Sequence, residues 1–178
     1  MGSEGPSVVT VHVTGFKKFH GVAENPTEKI VTNLKSFVEK KGLPKNLVLG
    51  SCTVLETAGQ GALGTLYKVL ESSIAERENG SSAQGQRAPI VPSDGGISRT
   101  RETTLPVNEL TKSLRKTGYD VMPSDDAGRF VCNYVYYHSL RFAEQHGIKS
   151  LFVHVPLFLT IDEEVQMHFV ASLLEALS

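Results

Sequence analysis

VVTVHVTGFKKFHGVAENPTEKIVTNLKSFVEKKG, residues 8–42, contains the reading on which the fold turns. Val8–Val13 alternates apolar and polar residues and stops at Thr14-Gly15, the pattern of a strand. Asn25-Pro26-Thr27-Glu28 then has the marks of a helix start: Asn25 as cap, Pro26 at the first helical position, and Glu28 placed to reach back to the cap N–H. Ile30, Leu34, Phe37 and Val38 follow at i, i+4, i+7 and i+8, one buried stripe. Gly42 closes the helix.

Outward from this unit the alternation repeats. Leu47–Leu55 reads as a strand, and Leu63, Leu66, Leu70 and Ile74 mark a helix. Leu105-Pro106 opens a helix through Leu110 and Leu114 that ends at Gly118. Tyr119–Met122 is a short strand candidate, 128–145 a helix, and Ser150–Val155 a strand stopped by Pro156. Thr160-Ile161-Asp162-Glu163 has the capping-box spacing, with Val165, Phe169, Leu173 and Leu177 as the apolar stripe of a last helix. Strand and helix in alternation predict an α/β fold, a mostly parallel sheet covered by helices. The exception is 77–104, rich in Gly, Ser and charge, which reads as a long irregular loop with only Ile90-Val91 strand-like.

The chain has 178 residues, 40% hydrophobic and 21% charged, with 18 Lys+Arg against 19 Asp+Glu. One domain of ordinary composition is expected. A net charge of -1 gives no electrostatic reason to expect a nucleic acid or an anionic membrane as partner. Two cysteines are too few for a disulfide framework. The apolar run at 151–161 falls well short of the roughly 20 residues that cross a bilayer. MGSEGPS lacks the basic and apolar regions of a signal peptide, so a cytosolic protein is expected.

Three features bear on chemistry. Gly59-Gln60-Gly61-Ala62-Leu63-Gly64 fits G-x-G-x-x-G between a strand and a helix, but no second strand carries the acid that a dinucleotide site needs. Glycines shaping a helix start account for it. Cys132 lies where the turn Ala127-Gly128-Arg129 passes into a helix, and backbone N–H groups there favour a thiolate and can hold an oxyanion. A buried structural cysteine is the alternative, and for Cys52, amid a strand, it is the reading adopted. His154, at the C-terminal end of the last strand, is placed to serve a thiol as base. Phe16 and Phe19, in the loop after the first strand, are either core or the lining of a small apolar pocket. Among the other histidines, His12 lies on the first strand, His138 and His168 in helices, His20 and His146 in loops. No pair has metal-ligand spacing, so neither metal nor cofactor is expected.

Three motifs together resemble the pyroglutamyl peptidase I family: Thr14-Gly15-Phe16-x-x-Phe19-x-Gly21 with Asn25-Pro26, Ala127-Gly128-Arg129-Phe130-Val131-Cys132-Asn133, and Phe152-Val153-His154-Val155-Pro156. Lys17-Lys18 and His20 look closest to plant members. The resemblance implies a single α/β/α sandwich in three layers over 1–178, with Cys132 as nucleophile and His154 as general base. Phe16 and Phe19 would enclose the pyrrolidone ring, with Asn25 shaping the pocket. The implied activity is removal of N-terminal pyroglutamyl residues from peptides through a thioester. A homo-oligomer is left open. The chain departs from the family where the third catalytic residue, a Glu, and a central strand are expected: 77–88 reads Arg-Glu-Asn-Gly-Ser-Ser-Ala-Gln-Gly-Gln-Arg-Ala and carries neither. The resemblance therefore also implies a sheet one central strand short, and as the alternative function an impaired isoform that only binds peptide or a partner subunit. Glu56, Asp125 and Asp126 are the nearest substitute acids.

Overall fold

The computed structural model describes residues 7–19, 21–74 and 90–178. They form two compact units, each assembled from separate stretches: 1–55, 106–123 and 154–178 in the first, 56–105 and 124–153 in the second.

The first unit contains β1 (Val9–Phe16), α1 (Pro26–Lys41), β2 (Leu47–Leu55), α3 (Val107–Lys116) and α5 (Glu163–Ala176). β1 and β2 pair in parallel, Val9 opposite Leu47 through Phe16 opposite Leu55. The register shifts between Val11 and His12, where Gly50 is passed over. A Cβ on Gly50 would lie 2.7 Å from the His12 ring, so glycine fits the bulge. The His12 imidazole itself meets the Ser51 hydroxyl at 2.8 Å. α1 begins and ends as its residues dictate: the Asn25 side chain accepts from the Thr27 N–H, Pro26 takes the first position, and Gly42 closes the helix at φ 86°. Glu28 does not reach the cap; its carboxylate accepts from the Lys18 N–H at 2.9 Å instead. The core joins Ile30, Leu34 and Val38 of α1 to Leu47 of β2 and to Met167, Ala171 and Leu174 of α5. Each large apolar side chain buried this way contributes about 1.5–3 kcal/mol.

Two expectations for α5 are corrected. Its cap is Asp162, which accepts from the Val165 N–H at 2.9 Å, not Thr160. Its buried face carries Met167, Ala171 and Leu174, while Val165 is exposed. The helix is apolar around much of its circumference, so periodicity alone does not select the face.

The second unit contains α2 (Gly59–Ser73), a 3₁₀ turn (Pro92–Asp94) and α4 (Val131–His146), with α2 packed on α4. His146 is the last residue of α4 rather than a loop residue. The expected loop 77–104 lies outside the described residues up to 89. From 90 on it is pinned by Asp94. That carboxylate accepts from Arg101 at 2.6 Å, from Arg141 at 3.0 Å and from the Tyr137 hydroxyl at 3.0 Å. Ile90-Val91 forms no strand; Val91 caps the 3₁₀ turn.

The parallel sheet and the helices confirm the α/β class, and among the described residues the sheet has two strands. Among the described residues, the expected strands at Tyr119–Met122 and Ser150–Val155 join no ladder. Side chains occupy the groups that a neighbouring strand would use. Arg115 donates to the Val121 carbonyl at 2.6 Å, and the Thr103 hydroxyl donates to the Ser150 carbonyl.

Candidate active site

In the first unit, the turn after β1 is tied tightly to the start of α1. The Asn25 Oδ1 accepts from the Thr27 N–H at 3.0 Å, and its Nδ2 donates to the Lys17 carbonyl at 3.0 Å. The Phe16 N–H donates to the Thr27 hydroxyl at 2.9 Å. Gly15 makes this closure possible, because a Cβ there would overlap the Thr27 carbonyl and lie 2.8 Å from the Val31 side chain. Asn25, 7% exposed, is thus the brace of this turn. Phe16 is buried at 7% exposure, whereas Phe19 stands 43% exposed. Of the two rings, one is held in the core of the turn and the other is presented to solvent. His154 is exposed and opens the stretch whose Val155 and Phe158 pack on the core of this unit.

In the second unit, the turn before α4 is shaped by its own side chains. The Asp126 carboxylate accepts from the Gly128 N–H at 2.7 Å, and the Asp126 N–H donates to the Ser124 hydroxyl at 3.2 Å. Gly128 sits at φ 83°, a conformation that suits glycine. Of the candidate substitute acids, Asp126 is therefore committed to this turn. α4 then starts from Phe130 with no side chain capping it. Cys132 is its second residue, half-buried and free of disulfide. Burial pushes its thiol upward, opposed by its own backbone N–H. Desolvation of the charged sulfur is thus the larger influence on this side chain, and the hydrogen bond from its backbone N–H the smaller. A partner base is what this sulfur needs to react. Cys52, half-buried on β2, is also pushed upward by burial, with Lys35 opposing.

The face of α4 that carries Cys132 continues through Tyr136 and Ser139, at i+4 and i+7. Ser139 meets the Ser150 hydroxyl at 2.7 Å. Tyr136 packs on Phe152 with ring centroids 5.5 Å apart, and its hydroxyl faces the Phe152 backbone and the Thr103 hydroxyl. The stretch 150–153 is in this way laid along the cysteine-bearing face. The opposite side of α4 holds His138. Its Nδ1 meets the Tyr67 hydroxyl of α2 at 2.9 Å, and its buried Nε2 has no partner among the described residues. Burial, with Arg141 nearby, lowers this imidazole to about 4. Sequence reasoning placed His138 in a helix without its burial, and missed Tyr136 and the Asp94 cluster. Only the four-residue step from Cys132 to Tyr136 offered a signal.

Gly59, Gly61 and Gly64 all lie in the first turns of α2, whose cap Ala58 offers no side-chain hydrogen bond. Among the described residues no three His, Cys, Asp or Glu side chains gather as metal ligands, and no helix is long and apolar enough to cross a membrane.

A half-buried cysteine in the first turn of a helix, on an α/β frame, is compatible with a cysteine-dependent acyl-transfer enzyme. The comparisons narrow the class. A family model described as pyroglutamyl peptidase matches residues 82–171, which include both Cys132 and His154. The chain belongs to the pyroglutamyl peptidase family. It is 29% identical to the pyrrolidone-carboxylate peptidase of Thermococcus litoralis over 89% of this chain and 80% of that one. It is 28% identical to that of Pyrococcus furiosus over 82% and 80%. The crystal structure of pyrrolidone carboxyl peptidase from Pyrococcus furiosus superimposes with a TM-score of 0.73 at 25% identity, covering 94% of this chain and 97% of that one. That from Thermococcus litoralis superimposes with a TM-score of 0.67 at 24% identity, covering 94% and 92%.

Proposed function

We propose that this chain is a cysteine exopeptidase that removes N-terminal pyroglutamyl residues from peptides, with Cys132 as nucleophile and His154 as general base. The observation that supports the assignment is the family match over residues 82–171, a stretch that contains both Cys132 and His154. Burial pushes the Cys132 thiol upward, and a base is the partner such a thiol needs.

In the proposed reaction His154 takes the Cys132 proton as the sulfur bonds to the pyroglutamyl carbonyl carbon. The uncapped N–H groups at the start of α4 receive the oxyanion. His154 then returns the proton to the leaving amine as the C–N bond breaks, leaving a thioester. Water, deprotonated by His154, cleaves the thioester, releases pyroglutamate and restores the thiol. Phe19 supplies an apolar face for the uncharged lactam ring, Phe16 underlies it, and Asn25 keeps the turn in place. No residue of this chain matches the family's Glu motif, and in a serine-protease counterpart loss of the orienting carboxylate costs about 10⁴ in kcat. The setting proposed is the cytosol, where the free thiols of Cys52 and Cys132 remain reduced.

Release of a fluorophore from a pyroglutamyl amide tests the proposal. Turnover is expected from the intact chain and none from Cys132→Ser. A folded chain without turnover would leave the peptide-binding alternative in its place.

A further inference from the structure

We infer that the turn 157–161 receives the side chain of the residue that follows pyroglutamyl in the substrate, so that peptides with an apolar second residue are favoured. The inference rests on the reading of His154 as the acid for the leaving amine and adds to it a class of substrate.

His154, this turn and α5 all belong to the first unit. The leaving amine is that of the peptide's second residue, whose first side-chain atom is two bonds away. Where the imidazole hands this amine its proton, the side chain therefore lies against the surroundings of His154. Of the residues that follow His154, Val155 and Phe158 pack on the core, whereas Leu157 is exposed and Leu159 is 99% exposed. Three peptide links hold the Leu157 Cα within about 11 Å of that of His154. The chain then folds back on itself, the Leu157 carbonyl accepting from the N–H groups of Thr160 and Ile161 at 2.9 and 3.2 Å. Ile161 and Val165 are exposed as well, an apolar density that singly scattered surface residues do not reach.

Gln166 gives the turn a fixed shape. Its side chain is buried, and its Nε2 donates to the carbonyls of Pro156 and Ile161, on either side of the turn, at 2.9 and 2.7 Å. Its Oε1 is buried too and accepts from no described residue. A buried acceptor left in that state costs about 1–3 kcal/mol, so this amide is a poor device for stability alone. What it secures is the turn, and an apolar surface held in place takes up a side chain without the entropy cost of ordering a loop.

The test compares two peptide amides that differ only in the second residue, pyroglutamyl-phenylalanyl-alanine amide and pyroglutamyl-seryl-alanine amide, by chromatography of the released pyroglutamate. The intact chain is expected to favour the first about tenfold in kcat/KM. Leu157→Ser and Leu159→Ser should each bring that ratio to about threefold or less, with the rate on the seryl peptide and the melting temperature unchanged. Gln166→Met keeps the length of the side chain but donates nothing, and should lower the ratio with both leucines in place; if it does not fold, the leucine variants decide. A ratio near one in the intact chain, or a ratio that both leucine variants leave as it was, overturns the inference. So does an unmoved ratio in a Leu159→Ser variant that sediments as a smaller species than the parent, which gives the turn to a second copy of the chain. A chain that hydrolyses neither peptide refutes the exopeptidase reading and the inference with it, whereas an active chain indifferent to the second residue refutes the inference alone.

Discussion

Acid is expected to loosen the second unit through a single side chain, His138. Its imidazole is 8% exposed between α2 and α4, bonded to Tyr67 on one nitrogen and, among the described residues, unpartnered on the other. The rings of Tyr67 and Tyr134 flank it edge-on at 5.9 and 4.9 Å. Of the charged groups nearby, Arg141 disfavours protonation and Asp94 favours it, and burial, the largest effect, disfavours it too. The folded state therefore holds this histidine neutral, lowered from 6.5 to about 4. A base depressed in the folded state contributes nothing above its unfolded value. It costs stability as the pH falls from about 6.5 towards 4, because the unfolded chain takes up the proton first. The full interval corresponds to about 3 kcal/mol, of which about 2 kcal/mol is lost by pH 5. Because α4 bears Cys132, activity should fall in the same window.

The measurement is urea denaturation at pH 7.5 and pH 5, followed by far-ultraviolet circular dichroism, for the parent and His138→Phe. Phenylalanine keeps a flat ring in the slot, loses the Tyr67 hydrogen bond at a cost of about 1 kcal/mol, and cannot titrate. The parent is expected to lose about 2 kcal/mol between the two pH values and the variant about 0.5 kcal/mol or less. Equal losses in both proteins would refute the reasoning, because the acid sensitivity would then arise elsewhere.

Three further outcomes are expected. Asp94, lowered to about 2 by Arg101, Arg141 and Tyr137 against its own desolvation, supports the fold above about pH 4, and that support is lost as the pH falls through 2. After allowance for solvent screening it amounts to about 1–2 kcal/mol. Asp94→Asn should therefore destabilise the chain at pH 7 and flatten its stability curve below pH 4, both measured by denaturant midpoints. Gly15→Ala, whose Cβ meets backbone at Thr27, should cost about 1–3 kcal/mol and lower the melting temperature by several degrees in calorimetry. Asn25→Ala, which frees the turn bearing Phe19, should raise KM for a pyroglutamyl amide more than it lowers kcat in steady-state assays.

How much of this was legible in the sequence depends on how local each signal is. α1 is set by residues within one turn of its ends, Asn25 and Pro26 at one and Gly42 at the other, and the structure keeps all three. α5 shows where local signals tie. Thr160 and Asp162 are both competent caps, and the choice of Asp162 goes with a longer contact, Gln166 donating to the carbonyls of Pro156 and Ile161 at 2.9 and 2.7 Å. For 119–122 and 150–155, composition signals extension but not a partner, and one carbonyl of each accepts from a side chain, Arg115 and Thr103 respectively. The Asp94 cluster draws Arg141 from 47 residues away, a separation no spacing rule reaches. The motifs around Cys132 and His154, and with them the family, were legible because they are local. The direction of the Cys132 thiol was not, because it depends on burial that only packing creates.

The most direct measurement of the central claim is rapid quenching of the intact chain with a pyroglutamyl amide in acid, followed by mass spectrometry of the peptides. The account predicts one pyroglutamyl acyl group carried on Cys132 during turnover, absent from Cys132→Ser. Turnover with no acyl group on Cys132, or release of pyroglutamate that survives Cys132→Ser, would contradict it.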